Sequence, residues 1–182
     1  MGGGAVTAAL LLWQALAPPA APALPGWAAL PAIPVLPAGP IEGKVDRIVI
    51  DKTGRLMVAF QDGRPVRAFQ VALGFTPQGH KTRQGDGRTP EGVFRVDRRN
   101  DASRFHLSLG LDYPRPQDRA QARAAGMHPG GDIFIHGQPN GRVTRGYRIK
   151  GDWTDGCIAV SDGEIEDLFA ATRIGTEVEI RP

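Results

Sequence analysis

The sequence predicts a mostly β domain with two short helices, and three observations lead there. Short runs rich in β-branched and apolar residues recur from Val45 to Ile180, separated by turns bearing glycine and aspartate. Only two stretches, around Asp118 and Ile165, carry helical signals. No charged side chain precedes Glu42, so all 22 Lys/Arg and all 19 Asp/Glu lie beyond it, and this boundary marks where the folded domain begins. A chain of 182 residues then suffices for one domain and a tail.

Val45–Ile50 and Leu56–Phe60 flank Asp51-Lys52-Thr53-Gly54-Arg55 and read as a hairpin. A second turn at Gln61-Asp62-Gly63-Arg64 leads to Val66–Leu73, apolar at every other position, so an antiparallel meander opens the domain. A polar glycine-rich loop from Gly79 to Gly87 follows, and Thr89-Pro90-Glu91-Gly92 leads into a strand at Val93–Val96. No element is assigned between Val96 and Asp118. Asp118–Ala125 reads as a helix stopped by Gly126, and Asp132–Ile135 as a short buried strand ending at His136. Residues 137–153 read as a loop and Cys157–Val160 as a strand. Ser161 and Glu164 fit a capping box, starting a helix whose apolar face is Ile165, Leu168 and Phe169. Gly175 is expected to end that helix before a closing strand at Glu177–Ile180.

The N-terminal part has a different logic. Residues 5–17 form an uncharged, mostly apolar stretch of 13, shorter than the ~20 a membrane span needs but suited to the hydrophobic region of a secretory signal. The expected organisation is a signal peptide at 1–23, a Pro/Ala-rich linker at 24–42 and the domain at 43–182, with export to the periplasm or cell wall. An uncleaved N-terminus would add weak membrane association. Proline at the linker's density prevents helix and ladder formation, leaving either an extended spacer or a tail without a role.

The net charge of +3 comes from basic residues scattered among acidic ones, and no nucleic-acid motif is present, so no nucleic-acid partner is expected. No metal is expected either, since the chain has one thiol and no H-x-x-x-H spacing. No cofactor is expected.

The one cysteine, Cys157, sits in Thr154-Asp155-Gly156-Cys157-Ile158-Ala159-Val160. An exported cysteine without an intrachain partner is not a structural disulfide. It is then either a small buried hydrophobe or a nucleophile, and a nucleophile needs a base or positive charge to make thiolate. Of the four histidines, His136 is the candidate base: it ends a predicted buried strand, and Gly137 allows a neighbouring chain to come close. If its strand lies beside the one opened by Cys157, the two side chains meet at one sheet edge. Gly156 permits a tight turn, and the N–H groups around Gly156 and Cys157 are candidates to stabilise an oxyanion. Thr154 is a candidate to orient substrate. Asp155 either tunes His136 or is a surface carboxylate in a turn, and Trp153 is either a wall of the substrate groove or a core aromatic.

The run Ile135-His136-Gly137 followed by Thr154-Asp155-Gly156-Cys157-Ile158 resembles the signature of bacterial L,D-transpeptidase catalytic domains: a His-Gly pair, a variable loop, then Ser/Thr-x-Gly-Cys and an apolar residue. Thr89-Pro90-Glu91-Gly92, Tyr113-Pro114 and Gly130-Gly131-Asp132-Ile133 resemble further stretches of such domains, and the likeness runs from about Val45 to Ile180. The resemblance implies a β-sandwich of curled mixed sheets around a cysteine cleft. It also implies peptidoglycan stem peptides as partners: Cys157 would attack a carbonyl at an L-centre, expel the terminal D-amino acid and form a thioester. His136 would shuttle the proton, its ring oriented by the Gly137 carbonyl, and an acceptor amine would complete a cross-link. Two departures stand out. Ala159 replaces an arginine common two residues after the cysteine, leaving Arg142, Arg145 or Arg148 as alternatives, and the loop between His136 and Cys157 is slightly long. Two other functions remain open: water resolving the thioester, as in a peptidase or amidase, and a non-catalytic wall-binding module.

Overall fold

The computed structural model describes Met1, residues 39–141 and residues 146–182. The rest of the expected signal segment, the linker up to residue 38, and Arg142 and Arg145 lie outside the described residues. Val35–Pro182 forms a compact unit of its own, and the description is of that unit. Ten elements follow one another: β1 (Val45–Asp51), β2 (Leu56–Gln61), β3 (Arg64–Gln70), β4 (Gly92–Ser103), β5 (His106–Leu111), α1 (Pro116–Ala124), β6 (Phe134–His136), β7 (Ile158–Ala159), α2 (Asp162–Ala171) and β8 (Thr172–Arg181). Among the described residues no helix is long and apolar enough to cross a membrane.

The strands lie in the order β3-β2-β1-β8-β4-β5-β6-β7. The expected meander is present, β1–β2 and β2–β3 being antiparallel, while β1–β8 and β6–β7 are parallel. β4 is the strand on which the sheet turns: Gly92–Arg95 pair with β8, whereas the stretch from Val96 to Ser103 pairs with β5. The chain after β3 closes the curl, since Ala72 and Ala159 exchange hydrogen bonds of 2.9 and 2.8 Å. The core fills the interior with Ile48, Phe69, Phe94, Leu109, Ile135 and Ile158, each contributing about 1.5–3 kcal/mol by burial. Ile135 and Ile158 are register partners on β6 and β7, so the core anchors the two strands that the sequence analysis expects to carry the site.

The main departures from expectation fall in four elements. β4 continues to Ser103 because its polar second half is one arm of a hairpin, and β5, unassigned from sequence, is the other arm. Helix α1 starts at Pro116, with the Asp118 carboxylate accepting the Arg115 N–H at 2.8 Å. Helix α2 ends at Ala171 and runs directly into β8; Thr172 is buried against Val45, and Gly175, at φ 92°, lies inside the strand where the register with β1 shifts. At the start of α2, Glu164 accepts from both the N–H (2.9 Å) and the hydroxyl (2.7 Å) of Ser161.

The long loop between β3 and β4 is pinned by two buried lysines. Lys52 donates to the carbonyls of Gly79 (2.7 Å) and Thr89 (3.1 Å) and to Glu91 (2.7 Å); burial lowers its pKa and Glu91 opposes the shift. Lys81 donates to Asp86 at 2.8 Å, and Asp86 also accepts the N–H groups of Thr82, Arg83 and Arg88. Burial alone would raise the Asp86 pKa, but the ammonium and the three N–H groups outweigh it and hold the carboxyl down at about 2. Gly74 completes the packing. A Cβ there would lie 2.2 Å from the Gly87 carbonyl oxygen and 3.0 Å from the Gly156 Cα.

Gly74→Ala is expected to lower stability by about 1–3 kcal/mol, because backbone rather than side chain must yield; denaturant unfolding measures this. The Asp86 pair supplies about 2 kcal/mol above pH 4, a contribution lost as pH falls through the folded pKa near 2. Asp86→Asn should therefore melt well below the wild type at pH 7, with the gap closing under strong acid in a pH series of melting curves.

Candidate active site

His136 ends β6, and its main chain is fixed on both sides. It is opposite Ser108 on β5 and Ala159 on β7, and its carbonyl accepts the Val160 N–H at 2.9 Å. The Gly137 N–H donates to the carbonyls of Phe105 (3.1 Å) and Leu107 (3.3 Å). A side chain at Gly137 has no room: its Cβ would lie 2.6 Å from an Asp162 carboxylate oxygen and 3.0 Å from the Phe105 carbonyl. The close approach expected at this glycine thus comes from the start of α2 and from the β4–β5 hairpin.

The His136 ring is 2.7 Å, through Nδ1, from the Gly137 carbonyl. A carbonyl only accepts, so Nδ1 carries the proton and Nε2 of the neutral ring holds the free lone pair. Phe105 packs on the ring at a centroid distance of 4.5 Å, and Trp153 meets it edge-on at 5.8 Å. Burial lowers the pKa of the imidazole; the Gly137 hydrogen bond opposes this in part.

Cys157 lies just before β7, half-buried, and its thiol donates to the Asp132 carbonyl at 3.3 Å. Burial pushes the thiol up to about 11, aided by the Asp155 and Asp132 carboxylates and opposed by a backbone hydrogen bond from Phe134 and the Lys81 ammonium. The turn before it is tightly determined. Gly156 has φ 132°, in the region that favours glycine, and a Cβ there would stand 2.6 Å from the Arg88 carbonyl oxygen. The glycine is therefore required by its contact with the β3–β4 loop. Thr154 is buried; its hydroxyl donates to the Cys157 carbonyl (2.7 Å) and accepts the Gly156 N–H (3.1 Å). That commits the Gly156 N–H inside the turn, and among the described residues the N–H of Cys157 has no protein acceptor.

The Cys157 thiol and the His136 ring both line a cleft of about 570 Å³. Cys157, His136, Trp153, Thr154 and Asp155 line it, and Gly137 and Gly156 are not among its lining residues. Trp153 is a partly buried wall residue, and Asp155 is exposed. The other histidines lie elsewhere: His80 bridges the Glu91 N–H and Asp118, His106 meets Glu166, and His128 accepts the Gly130 N–H. Arg148 is tied to Glu164 and donates to the Gln70 carbonyl at 2.6 Å. Among the described residues no three His, Cys, Asp or Glu side chains gather as a metal site. Sequence reasoning missed Arg104, Phe105 and Asp132, which also line the cleft. The signal for the first two was present in the alternating leucines 107, 109 and 111, which mark β5 and hence a turn at Arg104-Phe105.

A family model described as the L,D-transpeptidase catalytic domain (YkuD) matches residues 45–180. No curated protein sequence matches the chain. Among solved structures, the helical cell shape determining protein Pgp2 from Campylobacter jejuni is similar at TM-score 0.58 and 24% identity, over 77% of this chain and 48% of that one. Bd1075 from Bdellovibrio bacteriovorus is similar at TM-score 0.51 and 22% identity, over 76% and 48%. This chain thus spans about half the length of those proteins, and at such identity the likeness is one of fold. With the family model covering nearly the whole domain, the chain belongs to the L,D-transpeptidase catalytic-domain family.

Proposed function

We propose that this domain is an exported peptidoglycan L,D-transpeptidase, with Cys157 as nucleophile and His136 as base. The observation that carries the reading is the pairing of β6 with β7, which brings an imidazole with a free Nε2 and the one thiol to the same cleft. As the sulfur attacks the stem-peptide carbonyl at an L-centre, its proton passes to Nε2. The Cys157 N–H faces the oxygen on which charge develops. The imidazolium returns the proton to the nitrogen of the departing D-amino acid as the C–N bond breaks, leaving a thioester. An acceptor amine then attacks, His136 takes its proton, and the sulfur leaves to recover it. Water in place of the amine gives hydrolysis through the same steps.

The pKa shifts decide when the proton moves. Ionising a thiol of pKa about 11 at pH 7 costs roughly 5 kcal/mol, and the buried imidazole resists protonation. The resting pair is therefore neutral, and transfer accompanies attack rather than preceding it. A preformed thiolate, the simplest expectation from sequence, is not needed. The N-terminal segment would direct the domain through the membrane, and the Pro/Ala-rich stretch would hold it away from the surface.

Mass spectrometry of muropeptides incubated with protein should reveal new cross-linked dimers with the wild type and none with Cys157→Ala. His136→Ala should retain the fold and lose about 10²–10⁴-fold in acylation rate. If tetrapeptide is only trimmed even with excess acceptor amine, water resolves the thioester; if no Cys157 adduct forms with any donor, the domain only binds the wall. A second measurement addresses the neutral pair. Alkylation by iodoacetamide, which needs thiolate, should rise about tenfold per pH unit from pH 7 to 9, because the thiol pKa lies above that range. Donor acylation, dependent on neutral His136, should rise only below the ordinary histidine range and stay flat above it. Alkylation already at its plateau at pH 7 would rule out the neutral pair.

A further inference from the structure

We propose that Arg104 is a specificity-determining residue that binds a carboxylate of the acyl donor; the inference rests on the reading of the cleft as a stem-peptide site. Arg104 and Phe105 form the two-residue turn of the β4–β5 hairpin, between the paired residues Ser103 and His106. The turn is secured to the strand end that carries the base. The Arg104 carbonyl accepts the Asn140 N–H at 3.0 Å, and the Phe105 carbonyl accepts that of Gly137 at 3.1 Å. Asn140 returns two more contacts, its Oδ1 accepting the His106 N–H (2.9 Å) and its Nδ2 donating to the Ser103 carbonyl (3.1 Å). The Phe105 ring then packs on the imidazole. The backbone of Arg104 is thus held in a fixed relation to His136, one residue from a side chain that touches the ring.

The side chain is free to act. Arg104 is exposed and lines the cleft, and among the described residues its guanidinium has no hydrogen bond or ion pair. Its neighbours on the hairpin are occupied: Arg98 pairs with Asp97 and Asp132, and Arg99 stacks on Phe169. Among the described lining residues Arg104 is the one arginine or lysine, set against Asp132 and Asp155 near the cysteine. Those two carboxylates repel an anionic group near the sulfur, and Asp132 is already paired with Arg98. A donor carboxylate is therefore drawn to the hairpin side, where a planar guanidinium accepts it through two N–H groups. A stem peptide ending in a D-amino acid supplies such a group at its C-terminus, and acidic side chains supply others. Held there, the carboxylate sets the direction in which the peptide crosses the cleft.

The test titrates the Cys157→Ala protein, which binds without reacting, with a stem tetrapeptide whose carboxylates are free, amidated at the C-terminus only, or amidated at the side chains only. Adding Arg104→Ala should weaken binding of the free acid by about tenfold or more, and Arg104→Lys should recover part of the loss. One of the two amidated peptides should bind with or without the arginine alike, which identifies the carboxylate. Affinity should also fall less steeply with salt in Arg104→Ala than with the arginine present. Equal affinity of the two proteins for the free acid, at equal melting temperature, overturns the role of Arg104 and leaves the stem-peptide reading intact. Failure of the Cys157→Ala protein to bind any of the peptides overturns that reading and this one with it.

Discussion

The proton on Nδ1 of His136, held by the carbonyl of the next residue, is the constraint on which the rest of this site depends. A side-chain orienter is replaced here by main chain, and main chain is only as reliable as the packing around it. That packing is exceptionally close: the Gly137 N–H reaches two carbonyls of the β4–β5 hairpin, and the first residue of α2 fills the space where a Cβ would be. Strand, hairpin and helix thus converge on one peptide group. The orientation of the ring, its tautomer and its shielding from water all follow from that convergence.

The proposed mechanism, with a neutral thiol and a neutral imidazole at rest, also makes sense of the surroundings. Two carboxylates near the sulfur would be a poor choice for storing a thiolate, since both push its pKa upward. They matter less when charge develops only during attack. The buried Lys81 acts in the opposite sense, but it is itself paired with Asp86. The β3–β4 loop therefore contributes structure to the cysteine turn more than it contributes charge.

Much of this arrangement was legible in the residues. The opening meander follows from period-two alternation and glycine-bearing turns, whereas the meeting of His136 and Cys157 was legible only as a condition, that the two short strands be neighbours, which the β6–β7 pairing meets. The family resemblance rests on the same residues. What stayed hidden has a common cause. The polar half of β4, from Asp97 to Ser103, has no buried face along much of its length, so hydrophobic pattern is silent there and β5 lost its partner in the reading. With β5 went the hairpin tip, and with the tip went Arg104 and Phe105. The end of α2 was misplaced because Gly175 breaks a strand register rather than a helix, a distinction set by the pairing of Thr172 with Val45. The internal partners of Thr154 are likewise invisible without coordinates, since a threonine ahead of a glycine turn reads equally as a substrate contact.

The meeting of Gly74, Gly87, Arg88 and Gly156 has a further consequence. At this node three stretches of main chain come together directly: a Cβ on Gly74 would meet the Gly87 carbonyl and the Gly156 Cα, and one on Gly156 would meet the Arg88 carbonyl. Rotamer changes, the usual means by which a protein absorbs variation, cannot relieve contacts of that kind. What position 88 presents to Gly156 is its carbonyl. Chain length is different: one residue gained or lost in the adjoining loop would be transmitted undamped to the sulfur. Selection on this family member should therefore act on spacing in that loop more strongly than on its letters.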